Sequence, residues 1–185
     1  SNLIGQVAGV GAYGLWDEFL YAEVTPYFSG KSGVLGFTTA GIPKESVTQG
    51  VSPYWRIALY RNKDSHAFSV GYVGLYDRIH QQGASGPANS FLDQGGDFQY
   101  QWSGKPHFAT LRGSFIWENQ GLSAAKGAGA VGRSTSDVRT LQLWSSYYYN
   151  NIAGLTLSFF DIEGPRDRIL YAPAELDGSR TGLPN

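Results

Sequence analysis

Cysteine is absent from the 185-residue chain, and its absence excludes several kinds of chemistry. Without thiols the chain can hold no disulfide bond, no thiolate metal site, no cysteine nucleophile and no thioether-attached haem of its own. Methionine is also absent, even at position 1. We therefore expect the chain to begin as a processed or excised product rather than at a natural start codon.

Long hydrophobic runs and a strong charge of either sign are missing as well. The longest apolar runs, such as 57–60 (IALY), are far shorter than the roughly 20 residues of a membrane-spanning helix, which excludes a helical membrane protein. The formal net charge is -1, so we expect no nucleic-acid partner. The chain is instead rich in aromatic residues (15%) and in glycine (25 residues). This composition favours an all-β protein.

Apolar and polar side chains alternate through most of the chain. In 97–102 the three aromatic rings share one face and the three polar side chains share the other. Residues 110–118 repeat the pattern, apart from Ile116. A period of two is typical of a two-faced β-strand, whereas a helix repeats every 3.6 residues. The pattern predicts about eight strands, near residues 5–15, 18–28, 52–62, 65–77, 93–103, 107–118, 138–149 and 154–162.

Short and long connections alternate between these predicted strands. The short ones are 16–17, 63–64, 104–106 and 150–153, and the long loops are 29–51, 78–92, 119–137 and 165–185. Outer-membrane barrels have short turns at one end and long extracellular loops at the other. We therefore predict one domain over 1–185, an antiparallel up-and-down transmembrane β-barrel. The eight strands form most of a small barrel or part of a larger one.

Strand length and aromatic placement favour a membrane over a soluble core. A tilted strand needs about 9–11 residues to cross the hydrocarbon region, and strands in lipid must close on themselves. A soluble β-barrel or sandwich is the alternative, but its outer face would carry more Lys and Glu than the polar faces here. The aromatic residues that we place at the membrane interface are Trp16, Tyr60, Trp102, Trp117, Tyr147 and Tyr149.

Polar residues on the same strands are expected to face inward, because a charge exposed to lipid costs up to about 2–4 kcal/mol near the midplane. In one interpretation such residues line a lumen, which tunes the passage of solutes or packs against an inserted domain. In the other they form cross-strand ion pairs that stabilise the interior of the barrel. We favour the ion pairs. The lumen-facing candidates are Glu23, Arg56, Asp97, Gln99, Gln101, Arg112 and Glu118.

Motifs for catalysis or metal binding are not found in the sequence. The histidines His66, His80 and His107 lie at no ligand spacing from one another, and no nucleophile elbow, phosphate loop or dinucleotide fingerprint is present. We interpret the glycine-rich stretch 127–132 as a loop. The chain is predicted not to be an enzyme and to hold no metal or cofactor of its own.

Six segments share a recognisable sequence pattern, and 53–59 (PYWRIAL) is the most distinctive part of it. The segments are 6–13, 20–23, 51–59, 98–101, 146–149 and 154–157. Together they resemble the barrel region of bacterial cytochrome c-like outer-membrane proteins. In such proteins a CxxCH haem-attachment segment precedes a porin-like barrel, an arrangement similar to the fused cytochrome-porins of iron oxidisers. The resemblance implies electron transfer across the outer membrane.

This chain departs from that pattern at both ends. It has no cysteine, and it ends in Leu183-Pro184-Asn185 rather than in an aromatic-terminated strand. We therefore expect both ends of the natural protein to be missing here, and haem c to belong to another segment or to a partner chain.

The leading functional hypothesis is a porin-like barrel in the bacterial outer membrane, in contact with its lipid. It would serve as the sleeve or channel of a c-type cytochrome. One alternative is a passive diffusion porin or adhesin-like barrel without a redox partner. Another is a soluble β-barrel that binds a ligand.

Overall fold

An antiparallel β-sheet contains most of the residues that the computed structural model describes, which are 7–29, 47–80, 86–150 and 152–171. The all-β prediction is thereby confirmed. The strands are β1 (Val7–Gly9), β2 (Ala12–Trp16), β3 (Leu20–Ser29), β4 (Val47–Thr48), β5 (Val51–Lys63), β6 (His66–His80), β7 (Asn89–Gly104), β8 (His107–Gly121), β9 (Thr135–Tyr149) and β10 (Ala153–Glu163), and the helices are α1 (Ser123–Gly127) and α2 (Arg168–Tyr171).

The strands follow one another across the sheet as an up-and-down meander. The order is β1-β3-β5-β6-β7-β8-β9-β10, with every pairing antiparallel. β1 and β2 pair with successive parts of β3 and so occupy one position at the edge of the sheet. In the same way, β4 and β5 pair with successive parts of β6. Within the described residues, β1/β2 and β10 are the two edges and do not pair with each other, so the sheet is not closed.

Tight turns join the strands at one end of the sheet. Lys63 pairs with His66 across a two-residue turn, and Gly104 pairs with His107 in the same way. Asp17, Asp64 and Asn150 adopt φ of +50°, +52° and +50° in three of the four turns. Asp and Asn tolerate this left-handed conformation better than other non-glycine residues, which explains why they occupy these positions.

At the other end the strands run further than the sequence predicted, so two of the loops are shorter. β6 continues to His80 and β7 begins at Asn89, which reduces the predicted loop 78–92. Likewise, β8 ends at Gly121 and β9 begins at Thr135, which reduces the predicted loop 119–137. Residues 30–46 of the first predicted loop and 172–185 of the last lie outside the described residues.

Part of the stretch that the sequence predicted as a loop forms the short helix α1. The Asn89 Oδ1 atom accepts hydrogen bonds from the backbone N–H groups of Ala124 and Ala125, both at 3.1 Å, and so satisfies donors in the first turn. Ala125 is fully buried and packs with Leu122 and Val131. This small apolar cluster makes the loop a folded cap rather than an open connection.

Asp167 ties the segment after β10 to the same loop. Its carboxylate accepts hydrogen bonds from the backbone N–H of Gly132, at 2.9 and 3.1 Å, and from those of Ile169 and Leu170 at the start of α2. Burial acts to raise the pKa of the carboxyl, but these backbone donors outweigh it and hold the pKa below its ordinary value.

Helix contributes little else to the structure. Among the described residues, no helix is long and apolar enough to cross a membrane.

Replacing Asn89 with Ala is expected to destabilise the loop around α1 by about 1–3 kcal/mol, because two buried N–H groups lose their acceptor. Hydrogen exchange at the Ala124 and Ala125 amides measures the effect. Asn119→Ala is the matched control, since the Asn119 side chain donates to Asp137 in an exposed pair. Equal protection of the two amides in both variants would contradict a capping role for Asn89.

The Asp167 anchor is expected to weaken in acid. A carboxyl whose folded pKa is lowered contributes stability above its unfolded pKa, about 3.9, and this stability is lost as the pH falls through the folded pKa. Exchange of the Gly132 and Leu170 amides should therefore accelerate, relative to the intrinsic rate, below about pH 4. In Asp167→Asn that acceleration should be absent, and an unchanged pH profile in the variant would count against the anchor.

Candidate functional site

The register of the ladder aligns side chains of like polarity across the whole sheet. Because alternate residues of a strand point to opposite faces, paired residues share a face. One row of paired residues consists of Leu20, Leu59, Val70, Phe98, Gly113, Leu143 and Phe159. Gly113 is its one member without a side chain, and the flanking Phe98 and Leu143 side chains fill the space beside it. We call the face that carries this row the apolar face and the opposite one the polar face.

The apolar face includes an uncharged band that runs along most of β8. On β8 it extends from His107 to Trp117 without a charged residue. That distance is roughly 33 Å along the strand, or roughly 25 Å in height at a tilt of about 40°, close to the apolar band of outer-membrane barrels. On this face Arg61 lies near the end of β5, and Arg139 stands beside Trp117 at the border of the band. Asp161 is an exception, because it shares the row of Phe115 and Leu141 on the open edge strand.

Aromatic rings gather on the apolar face at the end with the tight turns. His107 stacks on Trp102 with ring centres 6.0 Å apart, and its Nδ1 lies 2.6 Å from the Tyr147 hydroxyl. In the same manner, His66 Nδ1 lies 2.7 Å from the Tyr100 hydroxyl. Two imidazoles therefore belong to an aromatic cluster that the sequence assigned to tryptophan and tyrosine alone.

Five of the six aromatic residues predicted at the membrane interface lie on the apolar face. They are Trp16, Trp102, Trp117, Tyr147 and Tyr149. Tyr60 lies instead on the polar face, where its ring contacts Tyr21 edge-on at 6.3 Å. Its nearness to a turn suggested the assignment, but its position in the alternation of β5 decides the face.

On β5 and β6 the apolar side chains are more exposed than the polar ones, which is the reverse of the usual arrangement in a soluble sheet. On β6 the apolar-face residues Phe68, Val70 and Tyr72 are 46%, 41% and 44% exposed, whereas the intervening polar-face residues are partly buried. β5 behaves in the same way, with Ile57 53% exposed beside the buried Ala58. On these two strands the polar face is therefore the more sheltered one.

All seven candidates for lumen-facing residues lie on the polar face. They are Glu23, Arg56, Asp97, Gln99, Gln101, Arg112 and Glu118. The structure brings only some of them into contact, as the hydrogen bonds of the polar face show.

Arg56 and Asp97 form a bidentate ion pair that spans three strands. Arg56 Nη1 and Nη2 donate to the two carboxylate oxygens at 2.7 and 2.8 Å, and both side chains are 24% exposed. The pair passes over β6 at Gly71, where a Cβ atom would lie 2.9 Å from Arg56 Nη2 and 3.0 Å from Asp97 Oδ2. Glycine at this position therefore permits the bridge.

Glu23 is held by neutral donors rather than by a cation. It accepts hydrogen bonds from the Tyr21 hydroxyl at 2.8 Å and from Thr25 at 3.3 Å, both on its own strand. Further along the polar face, the Ser52 hydroxyl donates to Asp77, and both residues are fully buried. Sequence reasoning missed this pair, because only the ladder brings β5 and β6 to the right register.

Arg112 is exposed on the polar face and has no carboxylate partner among the described residues. Its neighbours across the ladder are Gln99 and Trp144. The nearest polar-face carboxylate of β7, Asp97, already accepts both hydrogen bonds of Arg56. The ion-pair interpretation therefore fits Arg56 and Asp97, while Arg112 presents an open cation.

Metal-binding side chains do not converge in the described part of the chain, where no three His, Asp or Glu residues form a group able to hold an ion. His66 and His107 contact tyrosine hydroxyls, and His80 is buried near the carbonyl of Pro87.

Comparison with known proteins gives no match to the chain among family models, curated proteins or solved structures.

The Arg56–Asp97 pair is expected to stabilise the sheet. Arg56→Gln and Asp97→Asn should each lower the free energy of unfolding by about 1–3 kcal/mol, since each leaves a partly buried charge without its partner. The double variant should lose less than the sum of the two. Urea unfolding of all four proteins in one buffer completes the cycle. Strict additivity would show that the pair contributes no coupling.

Proposed function

We propose that this chain forms the wall of a porin-like β-barrel in the bacterial outer membrane, with its apolar face toward lipid and its polar face toward the lumen. The observation that carries the proposal is the inverted exposure of the two faces. Apolar side chains are the more exposed set on β5 and β6, and polar side chains occupy the sheltered face.

A soluble sheet buries its apolar face under a second layer of helices or strands. No such layer covers the apolar face among the described residues, where α1 lies at the loop end against β7 and α2 is a single turn. Exposed apolar patches beyond a few hundred Å² mark surfaces that meet a membrane or another protein. A band about as tall as a hydrocarbon layer, bordered by aromatic rings, favours the membrane.

The ends of the sheet support the same orientation. Tight turns occupy the end that carries the aromatic cluster around His107, and the longer connections occupy the other end. In outer-membrane barrels the short turns are periplasmic and the long loops are extracellular. The folded cap around α1 would then face the cell exterior.

A membrane location requires both edges of the sheet to be paired, because lipid offers no hydrogen bonds to free backbone groups. The outermost lanes, β1/β2 and β10, run in opposite directions, since seven consecutive antiparallel steps separate them. Closure of one edge on the other preserves the antiparallel order. So does closure through an even number of further strands.

The resemblance to cytochrome c-like outer-membrane proteins extends the proposal to electron transfer. The barrel would then be the sleeve of a c-type haem unit supplied by another segment or by a partner chain, and the resemblance alone supports this part. Haem absorbance in the intact protein from its source tests it. A haem-free intact protein would leave passive diffusion as the role of the barrel.

Lipid contact can be tested with two tryptophans that are similarly exposed on opposite faces. Trp117 on the apolar face is 45% exposed, and Trp144 on the polar face is 39% exposed. In variants that retain only one of these indoles, vesicles of brominated lipid should quench the fluorescence of Trp117 strongly and that of Trp144 weakly. The reason is that only the apolar face would touch acyl chains.

Acrylamide in the aqueous phase provides the control, because it should quench Trp144 more than Trp117 in the same vesicles. A monodisperse, folded protein in plain buffer, with neither indole sensitive to brominated lipid, would overturn the membrane proposal in favour of a soluble β-barrel.

A further inference from the structure

A cavity of about 410 Å³ opens on the polar face between β7 and β10, toward the end with the tight turns. Its volume lies within the range of about 300–1,000 Å³ that is usual for sites of small molecules. The residues that give it a chemical character are Phe108, Thr110, Arg112, Trp144, Ser146 and Tyr148. Each of them projects from the polar face of β8 or β9.

One corner of the cavity combines a cation with an aromatic surface. Arg112 and Trp144 are directly opposite each other on β8 and β9. The guanidinium has no carboxylate partner among the described residues, and the indole is 39% exposed. A planar guanidinium with free N–H groups binds a carboxylate through two parallel hydrogen bonds. An anionic group is therefore the complement of this corner.

The opposite corner is aromatic and uncharged. Phe108 and Tyr148 are also a cross-strand pair, with ring centres 6.0 Å apart. Trp144 and Tyr148 are four residues apart on one face of β9, which places them roughly 13 Å from each other along the strand. The cavity thus offers two separate aromatic surfaces to one elongated molecule.

Hydroxyl groups occupy the space between the two corners. Thr110 and Ser146 form the intervening cross-strand pair, and Ser146 shares a hydrogen bond of 2.9 Å with Thr156 on β10. A hydroxyl can donate and accept at once, and the amide of Gln101 adds both functions beside Thr110. Such a row suits a ligand that itself carries many hydroxyl groups.

We infer that this cavity binds an acidic disaccharide, that is, two linked pyranose rings of which at least one carries a carboxylate. The carboxylate pairs with Arg112, the ring hydroxyls bond to the row around Thr110 and Ser146, and the C–H faces of the two rings lie on the electron-rich faces of Trp144 and Tyr148. An aromatic carboxylate would leave the hydroxyl row without partners. A neutral sugar would leave the guanidinium without one.

Since the cavity lies on the face proposed to line the lumen, this assignment rests on the proposed function and gives it a substrate class. Calorimetric titration of the folded full chain tests it, with digalacturonate as the acidic disaccharide, cellobiose as the neutral one and benzoate as the aromatic carboxylate. We expect digalacturonate to bind at least tenfold more tightly than either of the other two.

Two arginine–tryptophan pairs in this chain provide a matched control. Arg139 lies over the ring of Trp117 at 5.6 Å, in the same cross-strand relation as Arg112 and Trp144 but on the apolar face. Arg112→Gln should weaken digalacturonate binding by about 10- to 100-fold, the usual effect of losing hydrogen bonds to a charged group. Arg139→Gln should leave it within twofold of the native value.

Two further variants separate the parts of the site. Arg112→Lys keeps the charge without the planar fork and should lose a smaller part of the affinity, which also provides a reading if Arg112→Gln fails to fold by circular dichroism. Trp144→Leu should weaken digalacturonate and cellobiose alike. Binding of cellobiose or benzoate as tight as that of digalacturonate, or equal effects of the Arg112 and Arg139 variants, would overturn the inference.

Failure of the site and failure of the barrel remain distinguishable, because the titration does not require a bilayer. Digalacturonate binding that depends on Arg112, without quenching of Trp117 by brominated lipid, would remove the membrane role and retain the site. Quenching without digalacturonate binding would retain the barrel and remove the site.

Discussion

The register of the antiparallel ladder is the constraint on which the two faces of this sheet depend. A shift of one residue between two strands would move every side chain of one strand to the opposite face. From β3 to β10 the pairing continues without such a shift, so that Leu20 and Phe159 stand on the same face across five intervening strands. Among the described residues, two strands are interrupted. Val10-Gly11 separates β1 from β2, and Gln49-Gly50 separates β4 from β5, where Gly50 has φ of +78°.

The polar face contains charges in two states. Arg56 and Asp97 satisfy each other, and Gly71 leaves the room for their bridge across β6. Arg112 lies on β8, three strands from Arg56 and next to the strand of Asp97, and its guanidinium has no carboxylate partner among the described residues. The same register therefore produces a structural ion pair and an open cation on one face of the sheet.

The local sequence pattern predicted much of the fold, because alternation in a strand requires only neighbours along the chain. It predicted the strands and the tight turns between them, and it assigned seven polar residues to one face, which they share in the sheet. It did not predict the contacts at which distant segments of the chain meet. Neither the capping of α1 by Asn89 nor the anchor of Asp167 on Gly132 leaves a signal in local sequence.

Composition and period alone determined that this chain is an all-β protein of two-faced strands, because the period of two follows from backbone geometry within each strand. Only the tertiary structure decided which side chains meet across strands. Arg56 reaches Asp97 and not Glu23, and Arg112 faces Trp144, because hydrogen bonds between strands set the register. The greater exposure of the apolar side chains on β5 and β6 was likewise decided at that level, since the exposure of a side chain depends on which strands lie around it.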